Sequence, residues 1–383
     1  MKNKKLVRIT TVPESMRTLL KGQLRFMRNY YDVIAVSSNG ECFNDMLQEQ
    51  GVRGFCINMT RQITPLVDLK ALFQLILLLW KERPDIVHTH TPKAGLLGMI
   101  AAKIVGVPIR LHTIAGLPLL ETTGYKRKLL NYMEKLTNAC ATRVYPNSFA
   151  MKEIIIQQHL CAPRKLKVIA NGSSNGIDTL FFSTKNILQS REEIRLDLGF
   201  KQQDTVFVFI GRIVKDKGVN ELIDAFKEVM SRSVKLLIVG GFEKERNPIL
   251  PENEKFIINN SCIKFVGWQS DVRPFLYASD VLVFPSYREG FPNVVMQAGA
   301  MGLASIVSDI NGCNEIIENE KNGLIIPPKN HDALAEAMKR MIDDVELRMI
   351  MSANARKMIR ARYEQKMIWD ELLKEYRSLE SNV

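Results

Sequence analysis

No stretch of the sequence reads as a membrane span. The greasiest one, LVDLKALFQLILLLW (66–80), is interrupted by Asp68, Lys70 and Gln74. It also falls short of the about 20 apolar residues that a bilayer core requires, so it is expected to be a buried helix. The opening MKNKKLVRITTVPE is basic but lacks the apolar run of a signal peptide. Cysteine is sparse: Cys42, Cys56, Cys140, Cys161, Cys262 and Cys313 form no C-x-x-C pair and have no histidine in metal-ligand spacing. That excludes a disulfide framework or a zinc ribbon and is the usage of reduced thiols in a cytoplasmic protein. No Pro/Gly/Ser-rich tract marks a disordered tail, and no repeat at a fixed period marks a solenoid. A P-loop and a dinucleotide G-x-G-x-x-G are missing as well.

What is present suits two domains. A chain of 383 residues exceeds one ordinary core and divides into pieces of roughly 150–200 residues. The net charge of +12 is carried by one half: residues 1–180 hold 25 Lys and Arg against 12 Asp and Glu, and the remainder holds 28 against 29. Such an excess points to an anionic partner, whether nucleic acid, a membrane surface or a phosphorylated substrate. Short apolar runs alternate with helical patterns throughout. KLVRITTV, DVIAVSS, DIVHTHT, IRLHTIAG, TRVYPNS and LKVIANG read as strands of the first half. TVFVFIGR, VKLLIVGG, IKFVGW, DVLVFPS, ASIVSD and GLIIPP read as strands of the second. Near-continuous apolar strands between amphipathic helices such as NELIDAFKEVMSR predict parallel sheets covered on both faces, hence two doubly wound α/β domains. Ligands of such sheets sit beyond the carboxyl ends of the strands. The seam is placed near GIDTLFFSTKN, giving domains over 1–180 and 181–363, with a last helix over about 364–383 packing back on the first.

Two turns carry the chemistry. In VFVFIGRIVKDKGVNELIDAF (206–226) Gly211 ends a strand, Arg212 and Lys217 lie in the turn, and Gly218 precedes a helix. Two cations at a strand end beside a helix N-terminus suit a diphosphate clamp, although a solvated basic loop has the same composition. In SYREGFPNVVMQAGAMG (286–302) Glu289 lies just outside a helix whose first turn would include Pro292. Glu289 is placed either to accept hydrogen bonds from a sugar or simply to favour the helix dipole as an exposed loop acid.

The pairing of GRIVKDKG with PSYREGFPNVVMQAGAMGLASIVSDINGCNEIIENEKNGLIIPP resembles the retaining glycosyltransferases of family 4, which have the GT-B fold. The resemblance is strong over about 205–330 and looser in PDIVHTHTPKAGLLGMIAAKIVGVPIR and VIANGSSNGID. It implies two Rossmann-like domains facing a cleft, the second binding a nucleotide diphosphate-sugar and the first an acceptor. Carried over by position, Arg212 and Lys217 beside Gly211 would hold the diphosphate. Glu289 would bind the donor sugar with main-chain help from Gly290, Phe291 and Pro292. Backbone at Val294 and Val295 would lie by the phosphates, Asn293 would belong to the same donor site, and Gly267, Trp268 and Gln269 would lie by the base. The family's second acid, which binds the ribose, is replaced by Gln297. A glutamine still offers an acceptor and a donor but no carboxylate, so the change is expected to alter donor affinity more than chemistry.

On the acceptor side stand His88, His90, Lys93, Arg17 and Lys21, with His112 three residues before Ala115, where the family carries a histidine. His112 is the candidate for a catalytic role, and for His88 and His90 a structural role and a cleft role both remain open. Arg17, Lys21, Arg25 and Arg28 are spaced to share one face of a helix, and GYKRKLLNYMEKL (124–136) joins a basic cluster to apolar positions. Basic helices with an apolar flank rest on anionic membranes. The expected activity is therefore a hexosyl or N-acetylhexosaminyl transfer of the EC 2.4 class, from a nucleotide diphosphate-sugar (UDP being the family's commonest choice) to a lipid-linked glycan. The expected setting is the cytoplasmic, inner face of the membrane, and the reaction is expected to proceed without metal or cofactor. A GT-B-like sugar-nucleotide epimerase and a non-catalytic donor-binding subunit are the alternatives. The cations lack interleaved aromatics, which argues against nucleic acid as the partner.

Overall fold

A computed structural model describes residues 4–243, 245 and 247–382, with the side chains of residues 41 and 121 excepted. It holds two six-stranded, wholly parallel sheets. The first comprises β1 (Lys5–Ile9), β2 (Asp32–Ser37), β3 (Arg53–Cys56), β4 (Ile86–His90), β5 (Ile109–Ile114) and β6 (Arg143–Pro146), in the order β3-β2-β1-β4-β5-β6. The second comprises β7 (Thr205–Ile210), β8 (Val234–Val239), β9 (Ile263–Phe265), β10 (Val281–Phe284), β11 (Ala304–Ser308) and β12 (Gly323–Ile326), in the order β12-β11-β10-β7-β8-β9. Both orders are the doubly wound pattern, in which the chain reverses its direction of travel between the first and fourth strands of each sheet. Those reversals fall at β1/β4 and at β7/β10.

The uninterrupted apolar strands have a packing cause. On β7, Phe207 and Phe209 enter one buried layer with Ile223 and Phe226, while Val206 and Val208 enter the opposite layer with Val295 and Met296. A strand buried on both faces has no position left for polar alternation. The chain divides into two units, one running to Gly176 and resuming at Gln365, the other spanning Ile177–Glu364. The closing helix Gln365–Glu380 places Leu372, Leu373 and Tyr376 in a core layer with Leu6, Leu24 and Tyr31. Its Trp369 Nε1 donates to Asn175 Oδ1 at 2.7 Å.

Three local expectations are corrected. LKVIANG is not a strand: after one bridge from Leu166 to Val144 the backbone reaches positive φ at Ala170, Gly172 and Ser173, which extended pairing cannot accommodate. Instead β3, RGFC, completes the sheet at its edge, half exposed and with too little apolar character to read as a strand. Arg17, Lys21, Arg25 and Arg28 do not share a helix. Gly22, at φ 78°, separates helices Pro13–Leu19 and Gln23–Met27, and Arg28 donates to the Gly51 carbonyl at 3.0 Å. Helix Pro65–Glu82 buries Ala71, Leu75 and Leu79 but leaves its other face open, so it is not a buried helix.

Candidate active site

The second sheet brings its turns together where β7 and β10 lie side by side. Gly218 sits at φ 70° and a Cβ there would overlap the Pro285 carbonyl, so the turn after β7 nests directly on the end of β10. From this turn Lys217 Nζ forms an ion pair with Glu289 Oε1, and Ser286 Oγ donates to the same oxygen at 3.0 Å. Both charged side chains are 17% exposed, so the pair is shielded yet reachable. Lys217 Nζ also lies 5.6 Å from the centre of the Phe284 ring. Lys217 and Glu289 are 72 positions apart, and only the parallel pairing of β7 with β10 makes them neighbours.

The glycines at the strand ends form a floor without side chains. Gly211 N–H donates to Val239 O at 3.0 Å, and Gly240 N–H donates to Gly267 O at 2.8 Å. Gly240, at φ 150°, lies so close to the Gly211 carbonyl that a Cβ would overlap it. Arg212 has a different partner from Lys217: its guanidinium is exposed and pairs with Glu243 at 3.0 Å. Beyond β9, Trp268 is 75% exposed and Gln269 Nε2 donates to Val266 O at 2.8 Å.

The turn carrying Glu289 is braced by residues that the sequence reading did not single out. Asn311 Nδ2 donates to the carbonyls of Glu289, at 3.0 Å, and Gly290, at 2.7 Å. Gly312, at φ 77°, lets the backbone approach so closely that a Cβ would fall 2.7 Å from Gly290 O. Arg288 pairs with Asp216 at 2.7 Å, and the Tyr287 hydroxyl donates to Glu221 Oε1 at 2.5 Å. None of these partners is near in sequence, which is why no local signal announced them. Pro292 is buried at the cap of helix Asn293–Ala300, with Asn293 exposed, Val294 half-buried and Val295 buried. Phe291 stands edge-on to Tyr363 at 5.4 Å, and Gln297 is half-buried one turn into the helix.

In the first unit the three histidines separate. His88 and His90 stack at 4.3 Å on the face of β4 covered by the closing helix. His88 Nδ1 lies 2.5 Å from the Tyr376 hydroxyl and its Nε2 lies 2.7 Å from Thr113 Oγ1. His90 Nε2 lies 2.9 Å from Arg8 Nη2. Burial first, then neighbouring positive charge including that of fully buried Arg8, holds both rings well below the usual histidine range and therefore neutral. They line a small cavity with Asn147, Ser173 and Ser174.

His112, expected among the catalytic groups, is on the other face of the sheet. It packs beneath Gly95 of helix Pro92–Val105, where a Cβ would overlap its ring, and its Nδ1 lies 2.9 Å from Thr89 Oγ1. Burial lowers its pKa to about 4. It is a packed interior residue, because alternate positions along a strand point to opposite faces and His112 pairs with Thr89 rather than His88. Lys93, expected on the acceptor side, is held by Asp68 at 2.6 Å. Arg17 and Lys21 are exposed. Among the described residues, one grouping has metal-ligand atoms close together, the exposed Glu228, His331 and Asp332, and none of these lies in the strand-end turns.

Two doubly wound parallel sheets in these strand orders make a GT-B fold, with a shielded Lys–Glu pair at the reversal point of the second. The profile of "Glycosyl transferases group 1" matches residues 190–358 and that of a "Glycosyl transferase 4-like domain" matches residues 24–172; the chain belongs to this glycosyltransferase family. It is 37% identical over 376 residues to the capsular polysaccharide biosynthesis glycosyltransferase CapM of Staphylococcus aureus, covering 97% of this chain and 96% of that one. It is 32% identical over 335 residues to the Escherichia coli UDP-Gal:alpha-D-GlcNAc-diphosphoundecaprenol alpha-1,3-galactosyltransferase, covering 86% and 84%. Among solved structures, HepE of Anabaena in complex with UDP-glucose shares the fold, with a TM-score of 0.83 at 20% identity over 98% of this chain and 99% of that one.

Proposed function

We propose that this glycosyltransferase takes a hexosyl or N-acetylhexosaminyl group from a UDP-sugar and delivers it, with retention of anomeric configuration, to a lipid-linked glycan at a membrane surface. The observation that carries the reading is the Lys217–Glu289 pair at the β7/β10 reversal point. An ammonium held beside a carboxylate can exchange that partner for a diphosphate, which frees Glu289 to accept hydrogen bonds from the hydroxyls of the donor sugar. Main-chain groups of Gly290, Phe291 and Pro292 would assist it. The glycine floor at 211, 240 and 267 leaves room for backbone to approach phosphates closely. The E. coli relative, named for UDP-Gal and a diphosphoundecaprenol-linked sugar, supports the donor and acceptor classes.

In the proposed reaction the acceptor hydroxyl attacks the anomeric carbon from the side on which the diphosphate leaves. The carbon–oxygen bond to the diphosphate breaks as the new one forms, and a β-phosphate oxygen takes the acceptor's proton. Lys217 and Arg212 stabilise the charge that develops on the leaving group, so neither a protein base nor a metal takes part. Screening UDP- and GDP-sugars for thermal stabilisation tests the donor. A true donor at about a hundred times its dissociation constant stabilises the fold by about 3 kcal/mol. That donor, with a polyprenyl-diphosphate-linked sugar, is expected to give a product of unchanged anomeric configuration by NMR. An inverted product, or an epimer formed without acceptor, overturns the reading.

Gln297 supplies a separate prediction. Placing a carboxylate there (Gln297→Glu) is expected to tighten UDP-sugar binding about fivefold, since a charged acceptor improves a hydrogen bond to the ribose by about 1 kcal/mol. Turnover is expected to stay within about twofold. Calorimetric affinities together with kcat check this; a large change in kcat at constant affinity would place Gln297 at the reacting bond instead.

A further inference from the structure

Helix Pro65–Glu82 has two unlike faces. Ala71, Leu75 and Leu79 are buried in the core of the first unit. On the opposite side Leu66 is 85% exposed, Leu69 65%, Phe73 60%, Leu77 49% and Trp80 65%. At 3.6 residues per turn these five fall within an arc of about 80° and form one continuous apolar stripe. Isolated exposed apolar residues need no explanation, but a contiguous stripe of this size marks an interaction surface.

The charge around the stripe has one sign. The helix contains two carboxylates, and both are already engaged: Asp68 by Lys93 at 2.6 Å, and Glu82 by Lys5 at 2.9 Å. Lys70 and Lys81 are exposed on the helix itself, and Arg61 and Arg83 are exposed just beyond its two ends. The surface is thus an apolar band edged by cations, with Trp80 near one end. Helix Pro92–Val105, which packs on this helix, adds exposed Lys103 and Ile104. A second copy of the chain is a poor occupant, because a self-complementary contact would bring two surfaces edged by the same positive charge together. An anionic bilayer answers both parts: acyl chains receive the leucines and phenylalanine, head groups receive the cations, and an indole favours the boundary. No helix among the described residues is long and apolar enough to cross a membrane, so this helix would lie in the plane of the surface.

We propose that the outer face of helix Pro65–Glu82 is the docking surface of this chain for an anionic lipid bilayer. The inference rests on the reading that the acceptor is lipid-linked, and it names the contact with the membrane. It is tested with the full chain and vesicles of phosphatidylglycerol or phosphatidylcholine. Sedimentation is expected to show at least tenfold tighter binding to phosphatidylglycerol, weakening as salt is raised. Leu69→Gln with Phe73→Gln is expected to reduce that binding at least tenfold. Because both residues are exposed, the unfolding midpoint and the stabilisation by UDP should not change. Lys70→Glu with Lys81→Glu is expected to remove the preference for the anionic lipid, and a blue shift of indole emission on vesicles should be lost in Trp80→Phe. Equal binding by parent and Leu69/Phe73 variant, equal binding to the two lipids, or a dimer of the parent that the variant abolishes would each overturn the proposal. Failure of the acceptor reading would show separately, as no transfer by the parent from any nucleotide sugar to a polyprenyl-diphosphate-linked sugar.

Discussion

Lys217→Ala is expected to reduce sugar transfer by about 10²–10³-fold in kcat, the usual cost of removing one preorganised group aimed at developing charge. The side chain is well shielded, so its charge acts through less water than a surface lysine's would. The variant should also lose most of the stabilisation that UDP confers on the parent. Glu289 would keep its hydrogen bond from Ser286 but lose its counter-charge. Lys217→Met, which preserves much of the length without the ammonium, should behave like alanine and thereby separate charge from packing. Arg212→Ala is expected to have the same direction of effect, and the double variant should show no shift with UDP at all. Full stabilisation of the double variant by UDP would exclude this turn as the diphosphate site.

Gly240→Ala is expected to produce the largest loss of stability of any single methyl addition near the site, about 3–5 kcal/mol. Two costs combine there. The backbone adopts φ 150°, a region closed to side chains, and the new Cβ would overlap the Gly211 carbonyl oxygen. That oxygen belongs to a backbone that cannot retreat without breaking the 3.0 Å hydrogen bond from Gly211 to Val239. For a unit of this size the unfolding midpoint should fall by about 10 °C. Because Arg212 follows Gly211 directly, stabilisation by UDP should fall with it. Gly302→Ala is the control. It too has positive φ, at 85°, but nothing lies within 4 Å of the added Cβ. Its cost should be the backbone term alone, about 1 kcal/mol. Equal losses for the two variants would show that crowding at Gly240 contributes nothing.

Much of the architecture was legible because its cause is local and repeated. Strands buried on both faces leave uninterrupted apolar runs, and the inner strands β7, β8, β10 and β11 of the second sheet are legible on that ground. The exceptions obey the same logic. β3 escaped notice because an edge strand of sequence RGFC buries little, and LKVIANG misled because an apolar composition does not reveal the positive φ values that follow it. Helix Pro65–Glu82 misled in another way. Its hydropathy is high all round, and nothing in the residues says which half of the circumference meets the sheet.

Two doubly wound α/β domains, the two Gly-bearing turns and the residues Lys217 and Glu289 within them are all legible in the residues. These follow from periodicity and turn chemistry, which act over a few residues. It took the folded chain to show that Lys217 meets Glu289 across 72 positions while Arg212 turns to Glu243, that Asn311 braces the Glu289 turn, and that His112 lies on the face of the sheet opposite His88 and His90. The physical reason is common to all of them. Which strands become neighbours, and which side of a strand or helix is enclosed, is settled by the packing of the whole sheet, and no window of local sequence contains it.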